Sequence, residues 1–153
     1  IWGYKEVDPL GGDDPYSASK AMADILTQSW IKSFGGPPTA IARAGNVIGG
    51  GDWATDRLVP DFLRALDAGQ TLSIRAPQAI RPWQHVLDCL RGYLLLGQSH
   101  LDKNIDTPIS INFGPSESLS VIELIRIFEL SFKKKINYEI IKSGFISHNF
   151  VTT

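Results

Sequence analysis

The sequence has one cysteine, one methionine, no long apolar run and no marked excess of either charge. A lone cysteine, Cys89, excludes an internal disulfide and agrees with the reducing conditions of the cytoplasm. No stretch approaches the roughly 20 apolar residues that a membrane-spanning helix needs. A formal net charge of −1 over 153 residues provides no general attraction for nucleic acid or anionic lipid. We therefore expect no nucleic-acid partner and no membrane partner, and an anionic ligand would need a local site.

Two further patterns are missing. The histidines His85, His100 and His148 do not have the spacing of metal ligands, so we expect no metal site. The glycine-rich segment 45–51 does not follow G-x-G-x-x-G and no helix follows it at once, which excludes a dinucleotide phosphate loop there. Its glycines are expected to adopt positive φ angles or to bring the backbone close to a ligand.

Helices alternate with strands along most of the chain. Asp14-Pro15 is typical of a helix start, and Gly35 is a stop signal about 20 residues later. Ser120 and Glu123 have capping-box spacing at another helix start. This alternation predicts an α/β sheet, parallel, with helices packed against it. The other predicted elements are helices over 57–68 and 84–97 and strands over 39–43, 72–75, 109–112 and 136–141.

The two ends of the sequence differ from its middle. Residues 1–13 are mostly irregular and lead directly into a helix, as though a strand preceded them. Residues 142–153 lose the apolar periodicity. We interpret residues 1–141 as one incomplete domain, and residues 142–153 as an irregular tail.

The most informative local pattern is Tyr16-Ser-Ala-Ser-Lys20. Side chains four residues apart share a helix face, with Cβ atoms about 5–6 Å apart. A phenol with an ordinary pKa of about 10 is a poor base at neutral pH, but a neighbouring ammonium favours the phenolate. Such a tyrosine can take a proton from a sugar hydroxyl while hydride leaves the same carbon. The alternative is an ordinary helix with a buried tyrosine and an exposed lysine.

Candidate ligand-binding residues lie further along the chain. Asn46 offers a donor and an acceptor after a predicted strand, where α/β folds bind ligands. Arg57, Arg75 and Arg81 have guanidinium groups, which bind phosphate oxygens through paired hydrogen bonds. A diphosphate ligand would account for at least one of the arginines. The alternatives are a plain turn at Asn46 and arginines that are merely solvated.

As a set, these stretches resemble the extended short-chain dehydrogenase/reductase family of NAD-dependent epimerases and dehydratases, whose catalytic pair is the Tyr and Lys of Y-x-x-x-K. Within that family they are most similar to the CDP-glucose 4,6-dehydratase subgroup. The resemblance covers nearly all of residues 1–125. The matching stretches are 2–4, 8–12, 14–20, 42–53, 56–61 and 81–86.

The resemblance implies a fold, a cofactor and site residues. The implied fold is the second half of a Rossmann-type doubly wound parallel sheet with part of a small C-terminal substrate-binding lobe. The implied cofactor is NAD, with Tyr16 as the base at the sugar C4 hydroxyl, Lys20 at the nicotinamide ribose and the backbone of Ala44 against the nicotinamide. The implied substrate contacts are Asn46, Arg57, Leu58 and Arg81 at the diphosphate and neighbouring groups, Arg75 at the nucleotide base, and Asn112.

The implied reaction oxidises C4, eliminates water across C5–C6 and returns the hydride to C6. It converts CDP-glucose to CDP-4-keto-6-deoxyglucose, regenerates NAD and is a lyase reaction of deoxysugar and lipopolysaccharide O-antigen synthesis. We expect the parent enzyme to be a cytoplasmic homodimer that binds a nucleotide sugar. The family's glycine-rich NAD loop and the acid/base residues for water loss would precede Ile1, so this chain alone is expected to be inactive. The alternatives are a 4-epimerase, a dTDP-glucose 4,6-dehydratase or a non-catalytic nucleotide-sugar-binding remnant.

Overall fold

The computed structural model describes residues 3–102 and 107–141, and within them the chain has an α/β order of elements. The predicted α/β class and the four predicted helices are confirmed. The predicted tail, residues 142–153, lies outside the described residues. The helices are α1 (Pro15–Phe34), α2 (Leu58–Ala68), α3 (Val86–Leu101) and α4 (Val121–Phe132). The strands are β1 (Ile41–Ala44), β2 (Asn46–Ile48), β3 (Leu72–Ile74), β4 (Ile80–Arg81), β5 (Trp83–His85), β6 (Ser110–Phe113), β7 (Leu119–Ser120) and β8 (Tyr138–Ile140).

The ends of α1 follow from its capping residues. The Asp14 carboxylate accepts hydrogen bonds from the backbone N–H groups of Tyr16 and Ser17 at 2.9 and 3.0 Å. Pro15 occupies the first turn, where its missing N–H leaves no helical bond unmade. At the other end Gly35 adopts a φ of 65°, a conformation that glycine reaches without steric cost. The sequence-predicted helix of about 20 residues is therefore confirmed at both ends.

Among the described residues the strands form four pairs, and three of the pairs are parallel, as predicted. β1 pairs with β6, β2 with β5, and β3 with β8, all in parallel. β4 and β7 form an antiparallel pair, which the sequence did not predict. The strands β2, β4, β5 and β7 were also missed, because two or three residues are too few to show an alternating pattern. Since 83–85 pairs as β5, α3 begins at Val86 and two residues later than predicted.

The buried core lies between α2, β3 and α4. Phe62 of α2 is fully buried and packs near Leu72 and Ile74 of β3. Ile125 of α4 is in the same cluster, and the rings of Phe62 and Phe128 are 5.1 Å apart. A fully buried apolar side chain contributes roughly 1.5–3 kcal/mol relative to an exposed one. This part of the chain therefore has the packing of a small folded lobe.

The start of α4 is closed by a reciprocal pair of hydrogen bonds. Ser120 Oγ accepts from the Glu123 backbone N–H at 3.3 Å, and Glu123 Oε2 accepts from the Ser120 N–H at 2.8 Å. The predicted capping box is confirmed. Because β7 ends at Ser120, the same residue also joins the antiparallel strand pair to the core helix.

Large apolar side chains are exposed on α1 and α3. On α1 the rings of Trp30 and Phe34 are 4.7 Å apart, yet both are exposed. α3 contacts β6 closely at Gly92, where a Cβ atom would meet the Phe113 ring at 2.5 Å, while its other side faces solvent. Helix faces that expose several large apolar side chains are typical of interaction surfaces. The exposed residues are Met22, Ile25, Leu26, Trp30 and Phe34 on α1 and Leu87, Leu90, Leu94, Leu95 and Leu101 on α3.

No helix within residues 3–102 and 107–141 is both long enough and apolar enough to cross a membrane.

Phe62→Ala is expected to remove about 3–5 kcal/mol from the free energy of unfolding, because Phe62 is fully buried in the core. Leu130→Ala is the control on a neighbouring helix, since Leu130 is exposed and its truncation opens no cavity. Urea unfolding followed by circular dichroism measures both. A Phe62→Ala midpoint equal to that of Leu130→Ala would show that this cluster is not the core.

Candidate active site

Tyr16 and Lys20 lie on one face of α1, as their spacing predicts. The Lys20 Nζ atom is 5.6 Å from the centre of the Tyr16 ring, within the range of a cation–π contact. Tyr16 is 71% exposed, so the alternative of a buried tyrosine in an ordinary helix is wrong. The phenol and the ammonium are both accessible to a ligand. Their catalytic role stays a prediction.

A largely buried ion pair ties α1 to β1, and sequence reasoning missed it. Asp24 is 8% exposed and accepts hydrogen bonds from Arg43 Nε and Gln28 Nε2, both at 2.7 Å. Burial by itself raises the pKa of Asp24, but the bonds from Arg43 and Gln28 outweigh it, so the pKa lies below its ordinary value. Asp24 is two turns along the helix from Tyr16, and Arg43 immediately precedes Ala44. The pair therefore sets where Tyr16 lies relative to the end of β1.

The segment 3–8 is held against the same strands. Arg43 Nη1 donates to the Glu6 carbonyl oxygen at 3.2 Å, and Glu6 Oε1 accepts from the Asn112 backbone N–H at 2.9 Å. The bond from Asn112 lowers the pKa of Glu6. Asn112 Nδ2 donates to the Tyr4 carbonyl oxygen at 3.3 Å. The side chain of Asn112 is thus engaged within the chain, and its predicted substrate contact would have to use the amide oxygen.

Strand pairing brings Asn46 and Arg81 near one another. Asn46 begins β2 and is in register with Trp83 of β5, two residues after Arg81. Paired strands are about 4.8 Å apart, so Asn46 lies opposite Trp83, and Arg81 precedes Trp83 by two residues. A shared ligand contact of Asn46 and Arg81 stays a prediction. Arg81 is half-buried, and burial lowers its pKa. A guanidinium has an ordinary pKa so high that it stays charged at neutral pH.

Arg75 forms an ion pair with Asp56, the residue that precedes Arg57. Arg75 Nη2 is 2.5 Å from Asp56 Oδ1, and both side chains are largely exposed. Asp56 adopts a φ of 62°, and Arg57 follows it as the residue before α2. Leu58 packs against the core at the first position of α2. The two arginines therefore occupy one surface, and their proximity to Tyr16 stays a prediction.

The glycines of segment 45–51 serve two purposes. A Cβ atom at Gly45 would lie 2.6 Å from Pro82, and one at Gly49 would lie 2.7 Å from Val86. Close packing within the chain therefore requires these two glycines, which differs from the predicted approach to a ligand. Gly51 has the predicted positive φ, 81°, and open space around it.

An apolar cavity of about 580 Å³ lies between segment 37–42 and the last turns of α3. None of the predicted site residues lines it, so the candidate site is an open surface elsewhere. No group of three His, Cys, Asp or Glu side chains that could hold a metal ion occurs among residues 3–102 and 107–141. His85 Nδ1 accepts from the Leu87 backbone N–H at 3.2 Å and caps α3. His148 lies outside the described residues.

The chain combines parallel strand pairs, which in α/β folds bind ligands at their carboxyl ends, with an exposed Tyr16–Lys20 pair on its first helix. Dinucleotide-dependent enzymes have this combination. Residues 3–113 match the model of the NAD dependent epimerase/dehydratase family. The chain belongs to this family. NAD is the cofactor of the family.

Among curated proteins, the chain is 45% identical over 134 residues to CDP-glucose 4,6-dehydratase of Salmonella typhimurium. This match covers 82% of the chain and 37% of the relative. The chain is also 32% identical over 103 residues to dTDP-glucose 4,6-dehydratase of Haemophilus influenzae, covering 66% of the chain and 30% of that protein. The chain therefore spans less than half the length of these relatives.

Solved structures share the fold. The dTDP-glucose 4,6-dehydratase of Streptomyces venezuelae with NAD bound has a TM-score of 0.79 at 25% identity. The match covers 95% of this chain and 44% of the Streptomyces venezuelae chain. The dTDP-glucose 4,6-dehydratase of Bacillus anthracis in complex with NAD has a TM-score of 0.78 at 22% identity, with 94% and 44% covered. The fold is therefore Rossmann-type, as the sequence predicts.

The predicted NAD contacts are accessible in the structure. Tyr16 and Lys20 offer an exposed hydroxyl and an exposed ammonium, and Ala44 is a small exposed residue at the end of β1. Their contacts with the nicotinamide and its ribose stay predictions. Nothing among residues 3–102 and 107–141 has the G-x-G-x-x-G pattern that holds the dinucleotide diphosphate.

Arg43→Met is expected to lower the free energy of unfolding by about 3–5 kcal/mol at pH 7, because it leaves the Asp24 carboxylate buried and uncompensated. Arg75→Met is the matched control: it breaks the exposed pair with Asp56 and is expected to cost about 1 kcal/mol or less. Urea unfolding measures both variants.

The same comparison has a defined pH dependence. The pKa of Asp24 is below its ordinary 3.8 in the folded chain, so its stabilisation is present above that value and is lost as the pH falls through the folded pKa. The difference between the unmodified chain and Arg43→Met is therefore expected to shrink below about pH 4. A difference that stays constant from pH 7 to pH 3 would contradict the ion-pair explanation.

Proposed function

We propose that the chain forms the proton-transfer and substrate-binding side of a sugar-nucleotide 4,6-dehydratase that acts on CDP-glucose. The observation on which this rests most is the exposed Tyr16–Lys20 pair on α1 in a chain 45% identical to CDP-glucose 4,6-dehydratase of Salmonella typhimurium. Family membership alone supports an enzyme of nucleotide sugars. The choice of CDP-glucose rests on that one relative.

In the proposed reaction Tyr16 accepts the proton of the sugar C4 hydroxyl. The Lys20 ammonium, 5.6 Å from the Tyr16 ring centre, stabilises the phenolate and hydrogen-bonds the nicotinamide ribose. NAD, when bound, would supply the acceptor for the C4 hydride and the source of the hydride that C6 receives once water has left across C5–C6. The Asp24–Arg43 pair positions Tyr16 relative to the backbone of Ala44.

In the proposed complex the substrate's negative charges are met by local cations. Because the whole chain has a net charge of −1, arginine side chains have to provide the attraction for a diphosphate. Arg57 and Arg81 are proposed for the diphosphate, with Asn46 and Leu58 beside them. Arg75 and Asn112 are proposed to contact the nucleotide base and the sugar, respectively.

The other relatives point to substrates other than CDP-glucose, namely dTDP-glucose or a UDP-sugar. The Haemophilus influenzae protein is a dTDP-glucose 4,6-dehydratase, and a structural neighbour of TM-score 0.77 is a UDP-glucuronic acid 4-epimerase from Bacillus cereus. The nucleotide preference of the chain separates these possibilities.

The exposed apolar faces of α1 and α3 support a homodimeric parent enzyme, and the free buried thiol of Cys89 agrees with the cytoplasm.

We expect the chain to bind CDP more tightly than dTDP or UDP in titration calorimetry at constant salt. Arg57→Met is expected to weaken CDP binding about 10- to 100-fold, since a charge-assisted hydrogen bond contributes about 1.5–3 kcal/mol. Arg126→Met is the control, because Arg126 is an exposed arginine on α4, a helix that bears none of the proposed site residues. Tighter binding of dTDP than of CDP would overturn the CDP-glucose assignment in favour of dTDP-glucose.

The chain mixed with NAD and CDP-glucose is expected to form no 4-keto product. Its described residues lack a loop for the NAD diphosphate, so the hydride acceptor would not be held beside Tyr16. Mass spectrometry over time detects the product, which is lighter than the substrate by one water. Measurable turnover by the chain alone would contradict this expectation.

A further inference from the structure

Trp53 lies in the loop between β2 and α2 with its side chain 68% exposed. Within residues 3–102 and 107–141, no aromatic ring stacks on its indole and no acceptor takes its N–H. Tryptophan is the largest apolar side chain and is usually well covered in folded proteins. An uncovered indole at this position therefore requires an explanation.

The backbone that presents Trp53 is held rigidly. Arg64 of α2 donates from Nη1 to the Trp53 carbonyl oxygen at 2.8 Å and from Nη2 to the Ala54 carbonyl oxygen at 3.1 Å. The Ala54 N–H donates to Asp52 Oδ1 at 3.1 Å, which closes a tight turn around Trp53. Three hydrogen bonds thus hold the backbone while the indole stays outside. This arrangement preorganises a flat apolar surface at a low entropic cost.

Two cationic side chains are associated with the loop that bears Trp53. Arg57 is four residues after Trp53, and Arg75 is joined to the loop by its ion pair with Asp56. Aromatic rings beside arginine side chains bind nucleotides, since the ring stacks on the base and the guanidinium groups contact the phosphates.

The exposure of Trp53 differs from that of Trp30. Trp30 packs against Phe34 and belongs to the apolar face of α1, which is wide enough for a protein partner. Trp53 stands alone, with Asp52, Thr55 and Asp56 as its polar loop neighbours. A single isolated ring fits a small planar group better than a protein surface.

We propose that the Trp53 indole stacks on the pyrimidine base of the bound nucleotide sugar. The inference rests on the proposed function and assigns a residue of the base subsite. Stacking depends on the flat face of the base and not on its hydrogen-bonding edge, so Trp53 provides affinity for pyrimidine nucleotides in general. Discrimination among cytosine, uracil and thymine is left to polar groups such as Arg75.

The test uses three probes: CDP, UDP and inorganic pyrophosphate, which has no base. Trp53→Ala is expected to weaken CDP and UDP binding to a similar extent, about tenfold or more, and to leave pyrophosphate binding unchanged. Trp53→Phe is expected to retain most of the affinity because it keeps an aromatic ring. Trp30→Ala, which removes another exposed indole, is expected to change none of the three.

Titration calorimetry measures the affinities, and circular dichroism checks that each variant has the fold of the unmodified chain. Unchanged CDP affinity in Trp53→Ala, or an equal loss for pyrophosphate, would overturn the stacking role and leave the proposed function standing. If the folded, unmodified chain bound none of the nucleotides, the proposed function and this inference would fail together.

Discussion

The ion pair between Asp24 and Arg43 is the contact on which the geometry of the site depends. It is the link between the helix that bears Tyr16 and Lys20 and the strand that ends at Ala44, and it is mostly removed from water. Charges in such a position have few alternative arrangements, because breaking the pair leaves an uncompensated charge inside the protein. Arg43 also donates to the Glu6 carbonyl oxygen, so one guanidinium positions the helix, the strand and the segment before the helix.

The two parts of the chain differ in how well their apolar surfaces are covered. Around Phe62, Leu72 and Ile125 the side chains pack as in an ordinary core, and the parallel pair β3–β8 rests on it. α1 and α3 instead leave rows of leucine, isoleucine and aromatic side chains in solvent. Within the part of the chain that the structure describes, β1 and β6 pair with each other and with no third strand. Parallel sheets are normally covered on both faces. The proposed substrate arginines are therefore close to the better-packed part, and the proposed catalytic pair belongs to the less covered part.

This division suits the chemistry we propose. Arg57 precedes α2 and Arg75 follows β3, two elements of the core, and the ion pair of Arg75 with Asp56 joins the two segments. Core elements therefore position the proposed nucleotide surface. Tyr16 and Lys20 lie on a helix whose position depends on a few polar contacts and on what covers its apolar side. We therefore expect nucleotide binding to be measurable on this chain, even though the chain by itself is expected to show no turnover.

The sequence by itself determined the α/β class, the ends of α1 and α4 and the shared face of Tyr16 and Lys20. Caps and i, i+4 spacing act within one or two turns, so neighbouring residues suffice to predict them. The sequence also contained Asp24 and Arg43, yet an aspartate in a helix and an arginine in a strand indicate nothing until the fold brings them 2.7 Å apart. Tertiary structure likewise decided the pairing of β2 with β5, which brings Asn46 near Arg81, and the close packing of Gly45 against Pro82. These contacts join residues 19 to 37 positions apart, and only the folding of the whole chain, through burial and strand pairing, selects which distant residues meet.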